Sequence, residues 1–168
     1  MSEPTDLLDG RASDDDAWWS SDEGAAWLAD VTRRVAIYRA LHPHPDRSRG
    51  PLLRAMLRAE VATRRSDDDD ADEHFELLYW CAFLLASVGE PSDVLAAWRA
   101  KHLDFDTACG FDVQFLVGAG VDATLAFLDR STDPDAPKIA DHLRGCRDAG
   151  DFDDLDGWRA SRAAYFGS

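Results

Sequence analysis

An apolar run in the middle of the chain limits the possible fold more than any other feature. Residues 77–89 read LLYWCAFLLASVG and contain no charged side chain. A membrane-spanning helix needs about 20 apolar residues and a strand usually has about 5 or 6, so the run is too short for the first and too long for the second. It therefore predicts a helix that is buried on most of its sides.

The remaining segments also follow a helical pattern. Leu28, Val31, Val35 and Tyr38 recur at steps of three and four, which is typical of one face of a helix. No segment alternates apolar and polar residues between hairpin turns, as a surface strand would. The sequence thus predicts an all-α fold. The expected helices span about 24–41, 51–65, 72–88, 91–102, 107–117, 120–131, 135–148 and 154–166.

The start of the chain differs from the rest in composition. Residues 1–22 are rich in Asp and Ser and predict an acidic, partly flexible N-terminal segment, followed by a single all-α domain over 23–168. The opening residues MSEPTDLLDG lack the basic and apolar regions of a secretory signal. Three scattered cysteines suggest a reducing compartment. We therefore expect a cytoplasmic protein.

Two segments 29 residues apart resemble each other. SVGEPSDVLAAW at 87–98 aligns with LVGAGVDATLAF at 116–127. Each reads as the end of a buried helix, a glycine that stops it, a short turn, and an Asp in the first turn of the next helix. Repeated helical hairpins are the sequence pattern of an α-solenoid. The architecture predicted is stacked helical hairpins, with an irregular helical bundle as the alternative.

The junction FLLASVGEPSDVLAAWRA resembles HEAT-type repeats, whose two helices commonly meet at a Gly-Asp/Glu-Pro turn. The stretch WRAKHLDFDTACGFDVQFLVGAG, which runs from Trp98 to Gly120, is similar to a pattern found in helical actinobacterial proteins. Some small helical proteins of this kind are immunity proteins of toxin systems. The resemblance therefore implies a binding role and a HEAT-like arrangement of helices.

The chain is strongly acidic. Its formal net charge is −15, its pI is near 4.5, and Lys101 and Lys138 are the only lysines. Such a field repels nucleic acid and anionic membranes and attracts basic proteins. We therefore expect a basic protein partner and neither nucleic acid nor a membrane, although a compositional preference for Asp would give the same charge.

The segment KHLDFDTACGFD at 101–112 concentrates reactive side chains. Its single Cys and single His lack the paired spacing of a zinc site, and its aspartates disfavour a reactive thiolate at Cys109. Asp106 or Thr107 could instead cap the next helix, with Phe105 packed against it, while Lys101 neutralises a neighbouring Asp. The sequence predicts no catalytic residue, metal ligand or cofactor. The candidate binding residues are Trp98, Lys101, Asp104, Asp106, Thr107 and Asp112.

These features favour a protein-binding module, most concretely an immunity or inhibitor protein that occupies a basic surface of its partner. Two alternatives stay open. One is a small-molecule-binding protein or enzyme with a pocket around Lys101, Asp104, Asp106 and Asp112. The other is a scaffold or assembly subunit without catalytic activity.

Overall fold

A computed structural model describes residues 16–66 and 74–167. Residues 1–15 of the predicted N-terminal segment, and the aspartate run 67–70, lie outside the described residues. The described parts contain ten α-helices and no strand, which confirms the all-α class. The helices are α1 Asp16–Trp19, α2 Asp22–Leu28, α3 Val31–Leu41, α4 Gly50–Arg65, α5 Phe75–Val88, α6 Asp93–Lys101, α7 Phe105–Gly110, α8 Val121–Leu128, α9 Ala136–Ala149 and α10 Leu155–Phe166.

The chain forms two compact units, the first ending at Val88 and the second covering Gly89–Phe166. In the first unit, α4 packs along α5, while α1 and α2 contact α4 and α3 contacts α5. The apolar run that predicts a central helix forms α5, which is buried at nine positions. These positions are Leu77, Leu78, Tyr79, Cys81, Ala82, Phe83, Leu84, Leu85 and Val88.

The prediction of a single helix over 24–41 is wrong, because the helix is interrupted between α2 and α3. The Asp30 carboxylate accepts a hydrogen bond from the Arg33 amide at 3.2 Å and caps the start of α3. The break leaves the carbonyl oxygens at the end of α2 without helical partners. Arg34 Nη1 donates to two of them, Leu28 O at 2.7 Å and Ala29 O at 3.2 Å.

In the second unit, α6 packs against α7 and against a 3₁₀ helix at Val113–Val117, and α8 packs against α9. The predicted helix over 107–117 is therefore two shorter elements, α7 and the 3₁₀ helix. The other predicted helices agree with the structure to within a few residues at each end. The large apolar side chains buried in this unit are Val94, Trp98, Phe111, Phe115, Leu116, Val117, Leu125, Leu128, Ile139, Leu143, Phe152 and Phe166.

The two aligned segments differ in their backbones. Gly89 follows the α-helix α5 and has a φ of 75°, a conformation that favours glycine. In the other segment the preceding element is the 3₁₀ helix, and the glycine with positive φ is Gly120, at 93°, rather than Gly118. The local geometry thus repeats only in part, and solenoid stacking stays a prediction.

Across the parts of the chain that are described, no helix has both the length and the apolar character needed to cross a membrane.

Candidate functional site

The segment 101–112 connects α6 to the 3₁₀ helix and contains the whole of α7. Five of the six candidate binding residues lie in it, and Trp98 lies one turn earlier on α6. The contacts of each residue show which of them serve the fold and which face solvent.

Lys101 is half-buried and binds backbone oxygens. Its Nζ donates to Ala108 O at 2.7 Å and to Phe111 O at 2.6 Å, near the C-terminal end of α7, where carbonyl groups lack helical partners. Burial lowers the pKa of Lys101, and the attraction of Asp112 partly opposes this effect. The ammonium group therefore stabilises the end of α7 directly, and the predicted neutralisation of an aspartate is limited to its electrostatic attraction to Asp112.

Asp104 is the N-cap of α7. One of its carboxylate oxygens accepts from the Thr107 amide at 2.7 Å, and the other accepts from the Thr107 hydroxyl at 3.0 Å. Thr107 is fully buried, whereas Asp106 is exposed. The prediction that Asp106 or Thr107 caps the helix is therefore wrong by two or three positions. The carboxylate that accepts from a helix amide, that of Thr107, belongs to Asp104.

Asp112 connects the segment to the C-terminal helix of the same unit. Its Oδ2 accepts from Trp158 Nε1 at 2.9 Å and from Arg162 Nε at 2.6 Å, and it lies 2.5 Å from Arg162 Nη2. Trp158 also packs edge-to-face on Phe115, with ring centroids 5.2 Å apart. Asp112 thus holds α10 in place through one charged and one neutral donor.

Trp98 is 5% exposed and belongs to the core, as its helical spacing predicts. The His102 ring packs 3.9 Å from it, the His142 ring 5.2 Å from it, and Lys138 Nζ lies 5.8 Å from its centroid. Both lysines of the chain and two of its five histidines therefore lie close to this part of α6. The aromatic core position is confirmed, and a role of Trp98 in binding stays a prediction.

The chemistry around these groups offers no activated nucleophile or metal centre. Cys146 Sγ lies 3.7 Å from His142 Nε2, but burial and the Asp151 carboxylate raise the pKa of this thiol, which disfavours the thiolate. Within residues 16–66 and 74–167, no group of three or more His, Cys, Asp or Glu side chains is arranged to hold a metal ion.

An exposed aromatic side chain lies in the middle of this segment. Phe105 is 81% exposed, more than any other large apolar residue of the described chain, and Asp104, Asp106 and Cys109 are exposed beside it in the sequence. We call these four residues the α7 surface. The predicted packing of Phe105 against the helix is therefore wrong, because it assumes a cap at Asp106. With Asp104 as the cap, Phe105 is the first helical residue, and a hydrophobic staple would instead use Leu103 and Ala108.

The chain was compared with models of protein families, with curated proteins and with solved structures, and none of the three comparisons found a match.

Proposed function

We propose that the protein is a binding module for a basic protein and that the α7 surface is its contact. The concrete form of the proposal is an immunity or inhibitor protein that covers a cationic site on its partner. The observation that carries it is the exposure of Phe105 between two exposed aspartates.

The aromatic ring supplies the apolar part of the interaction. Phe105 is the first residue of a six-residue helix that Asp104 caps, so its backbone is held while its side chain faces solvent. An aromatic side chain presented in this way can enter a pocket on a partner at a small cost in conformational entropy, because it has only two rotatable bonds.

The carboxylates supply the charge complementarity. Asp104 and Asp106 flank Phe105, and the net charge of −15 adds a long-range attraction for a basic surface. Flanking charges of this kind mainly raise the association rate and select the partner, while the buried aromatic contact slows dissociation. The arrangement therefore suits a tight complex with a cationic protein better than it suits a neutral partner.

The same contacts give less support to a small-molecule site around Lys101. The Lys101 ammonium is occupied by two backbone oxygens, and Asp112 is occupied by Trp158 and Arg162. Asp106 is exposed at the surface of α7, and no contact directs it towards Lys101. Lys101, Asp104 and Asp112 thus serve the fold in separate contacts, and Asp106 is exposed to solvent.

The test is affinity capture with the full chain, followed by measurement of the complex with the partner that is found. The product of the neighbouring gene is the first candidate, because toxin and immunity genes are usually adjacent. We expect the partner to be basic and expect Phe105→Ser to weaken the complex at least tenfold, since an interface anchor contributes about 2 kcal/mol or more. Asp106→Arg should slow association and reduce its dependence on salt.

Asp156→Arg is the matched control, because the Asp156 side chain is fully exposed on α10 of the same unit and the substitution changes the charge by the same amount. It should lower the affinity much less than Asp106→Arg does. Equal losses for the two charge reversals would mean that only the overall field matters. A partner that is acidic, or that binds Phe105→Ser as tightly as the original chain, would contradict the proposal.

A further inference from the structure

A cavity of about 400 Å³ lies in the first unit, between α4 and the pair α1 and α2. Five alanines line it, and three of them, Ala55, Ala59 and Ala62, follow each other on one face of α4. Trp19 and Leu28 complete the apolar part of the wall. Its volume lies within the range of about 300–1,000 Å³ that is typical of small-molecule sites.

The polar groups of the wall are cationic or neutral. Arg34, Arg58 and Thr63 line the cavity, and none of the described residues that line it carries a carboxylate, although the chain has 33 acidic residues and only 18 basic ones. The Arg34 charge is balanced by Glu60, which does not line the cavity and whose Oε1 lies 2.8 Å from Arg34 Nε. Among the described residues of the wall, Arg58 is therefore the cation that has no carboxylate partner.

Arg58 retains capacity to bind a ligand. Its side chain lies on the exposed side of α4, and its hydrogen bond within the described residues is the one from Nη2 to Trp19 O at 3.2 Å. A guanidinium group has five N–H donors and can bind a carboxylate through two of them at once. The mouth of the cavity thus presents a cation above an apolar interior.

The buried side chain of Trp19 forms part of the wall. Its indole is 4% exposed, and its Nε1 is buried with no acceptor among the residues that the structure describes. A buried donor without a partner costs about 1–3 kcal/mol. Because this nitrogen is inaccessible to water, the ring of Trp19, rather than its N–H group, is the part that a ligand in the cavity would contact.

We propose that this cavity binds a small carboxylate with an apolar body. The hydrocarbon part would lie against the alanines and the Trp19 ring, and the carboxylate would bind Arg58. This site lies in the first unit and does not depend on the α7 surface, so either proposal can fail without the other.

Isothermal titration calorimetry of the full chain with octanoate tests the proposal, and octylammonium serves as a probe of the same length and opposite charge. We expect saturable binding of octanoate, with a dissociation constant of about 1 mM or tighter, and at least tenfold weaker binding of octylammonium. Octylammonium that binds as tightly as octanoate, or no saturable binding of octanoate in the millimolar range, would overturn the proposal.

Variants then locate the site. Arg58→Gln should weaken octanoate binding about tenfold, and Arg65→Gln, which removes the same charge from the same helix outside the cavity, should leave it unchanged.

Ala59→Leu fills the cavity and should abolish binding. Circular dichroism checks folding, and Ala62→Leu, at a more exposed part of the wall, replaces Ala59→Leu if that variant unfolds. A folded cavity-filling variant that binds octanoate normally would place the site elsewhere and disprove the proposal.

Discussion

Arg34 and Glu60 lie 26 residues apart and form a two-pronged ion pair in the core of the first unit. Arg34 Nε donates to Glu60 Oε1 at 2.8 Å, and Arg34 Nη2 donates to Oε2 at 3.3 Å. The Tyr38 hydroxyl donates to Oε1 at 2.6 Å, and burial raises its pKa well above the ordinary value, so this hydroxyl stays protonated. With the bonds from Arg34 to Leu28, Ala29 and Thr63, all five N–H groups of the guanidinium have acceptors.

Removal of the Glu60 charge should destabilise the protein strongly. Glu60→Gln leaves the Arg34 charge buried without its counter-ion, and breaking a buried pair in this way typically costs about 3–5 kcal/mol. Urea unfolding near neutral pH measures the change. Glu23→Gln, at an exposed position on α2, is the matched control and should change the free energy of unfolding by less than about 0.5 kcal/mol. Equal free energies of unfolding for the two variants would mean that Arg34 and Glu60 are not paired in solution.

The cap of α7 gives a second prediction, because two aspartates flank Phe105 and only one of them bonds to the helix amides. Asp104→Ala should lower the free energy of unfolding by about 1 kcal/mol, since it removes the acceptor of the Thr107 amide and hydroxyl. Asp106→Ala should change it by less than about 0.5 kcal/mol. Thermal unfolding of the two variants side by side decides the assignment, and a larger loss for Asp106→Ala would restore the cap predicted from the sequence.

The helices were predictable from the sequence because their signals are local. Apolar periodicity, prolines near helix starts and glycines after helix ends depend on neighbouring residues alone, and they locate α4, α5, α8, α9 and α10 to within a few residues. Periodicity also indicates Trp98 as a core residue, and its burial confirms this.

The polar contacts were not predictable in the same way, because they join residues that are far apart in sequence. The apolar periodicity of 24–41 gives no sign that Arg34 is buried, and its burial depends on Glu60 and on the break at Asp30. Asp112 was expected near Lys101, but its partners Trp158 and Arg162 lie 46 and 50 residues later. Nothing local to either residue identifies these partners.

The contact between Asp112 and Arg162 predicts the behaviour of the C-terminal helix. Asp112→Asn removes the charge that holds Arg162 and weakens the bond to Trp158, so the local stability of α10 should fall by about 1–2 kcal/mol. Amide hydrogen exchange of α10 measures this directly. Asp156→Asn removes a fully exposed carboxylate that lies 3.7 Å from Arg159 on the same helix, and it should have almost no effect. Equal protection of α10 in the two variants would contradict the role assigned to Asp112.

His142 gives a prediction about pH. Burial, followed by the charges of Lys101 and His102, lowers its pKa below the ordinary value of 6.5, while Asp151 opposes the shift. Between the folded and unfolded pKa values, the unfolded chain binds more protons than the folded chain, so stability rises with pH in that window and is lost as the pH falls through it.

NMR titration of the His142 ring measures this shift, and replacement of a neighbouring lysine tests its cause. Lys101→Met removes a positive charge that acts on the imidazole, so the pKa of His142 should rise, and the dependence of stability on pH just below 6.5 should become shallower. Lys138→Met is the matched control, because it removes the chain's other lysine, which lies near Trp98 and is not among the groups that shift His142. Its effect on the His142 pKa should be smaller. Two outcomes would show that the charges around Trp98 are arranged differently in solution. One is a His142 pKa at or above 6.5 in the original chain, and the other is a His142 pKa that changes more with Lys138→Met than with Lys101→Met.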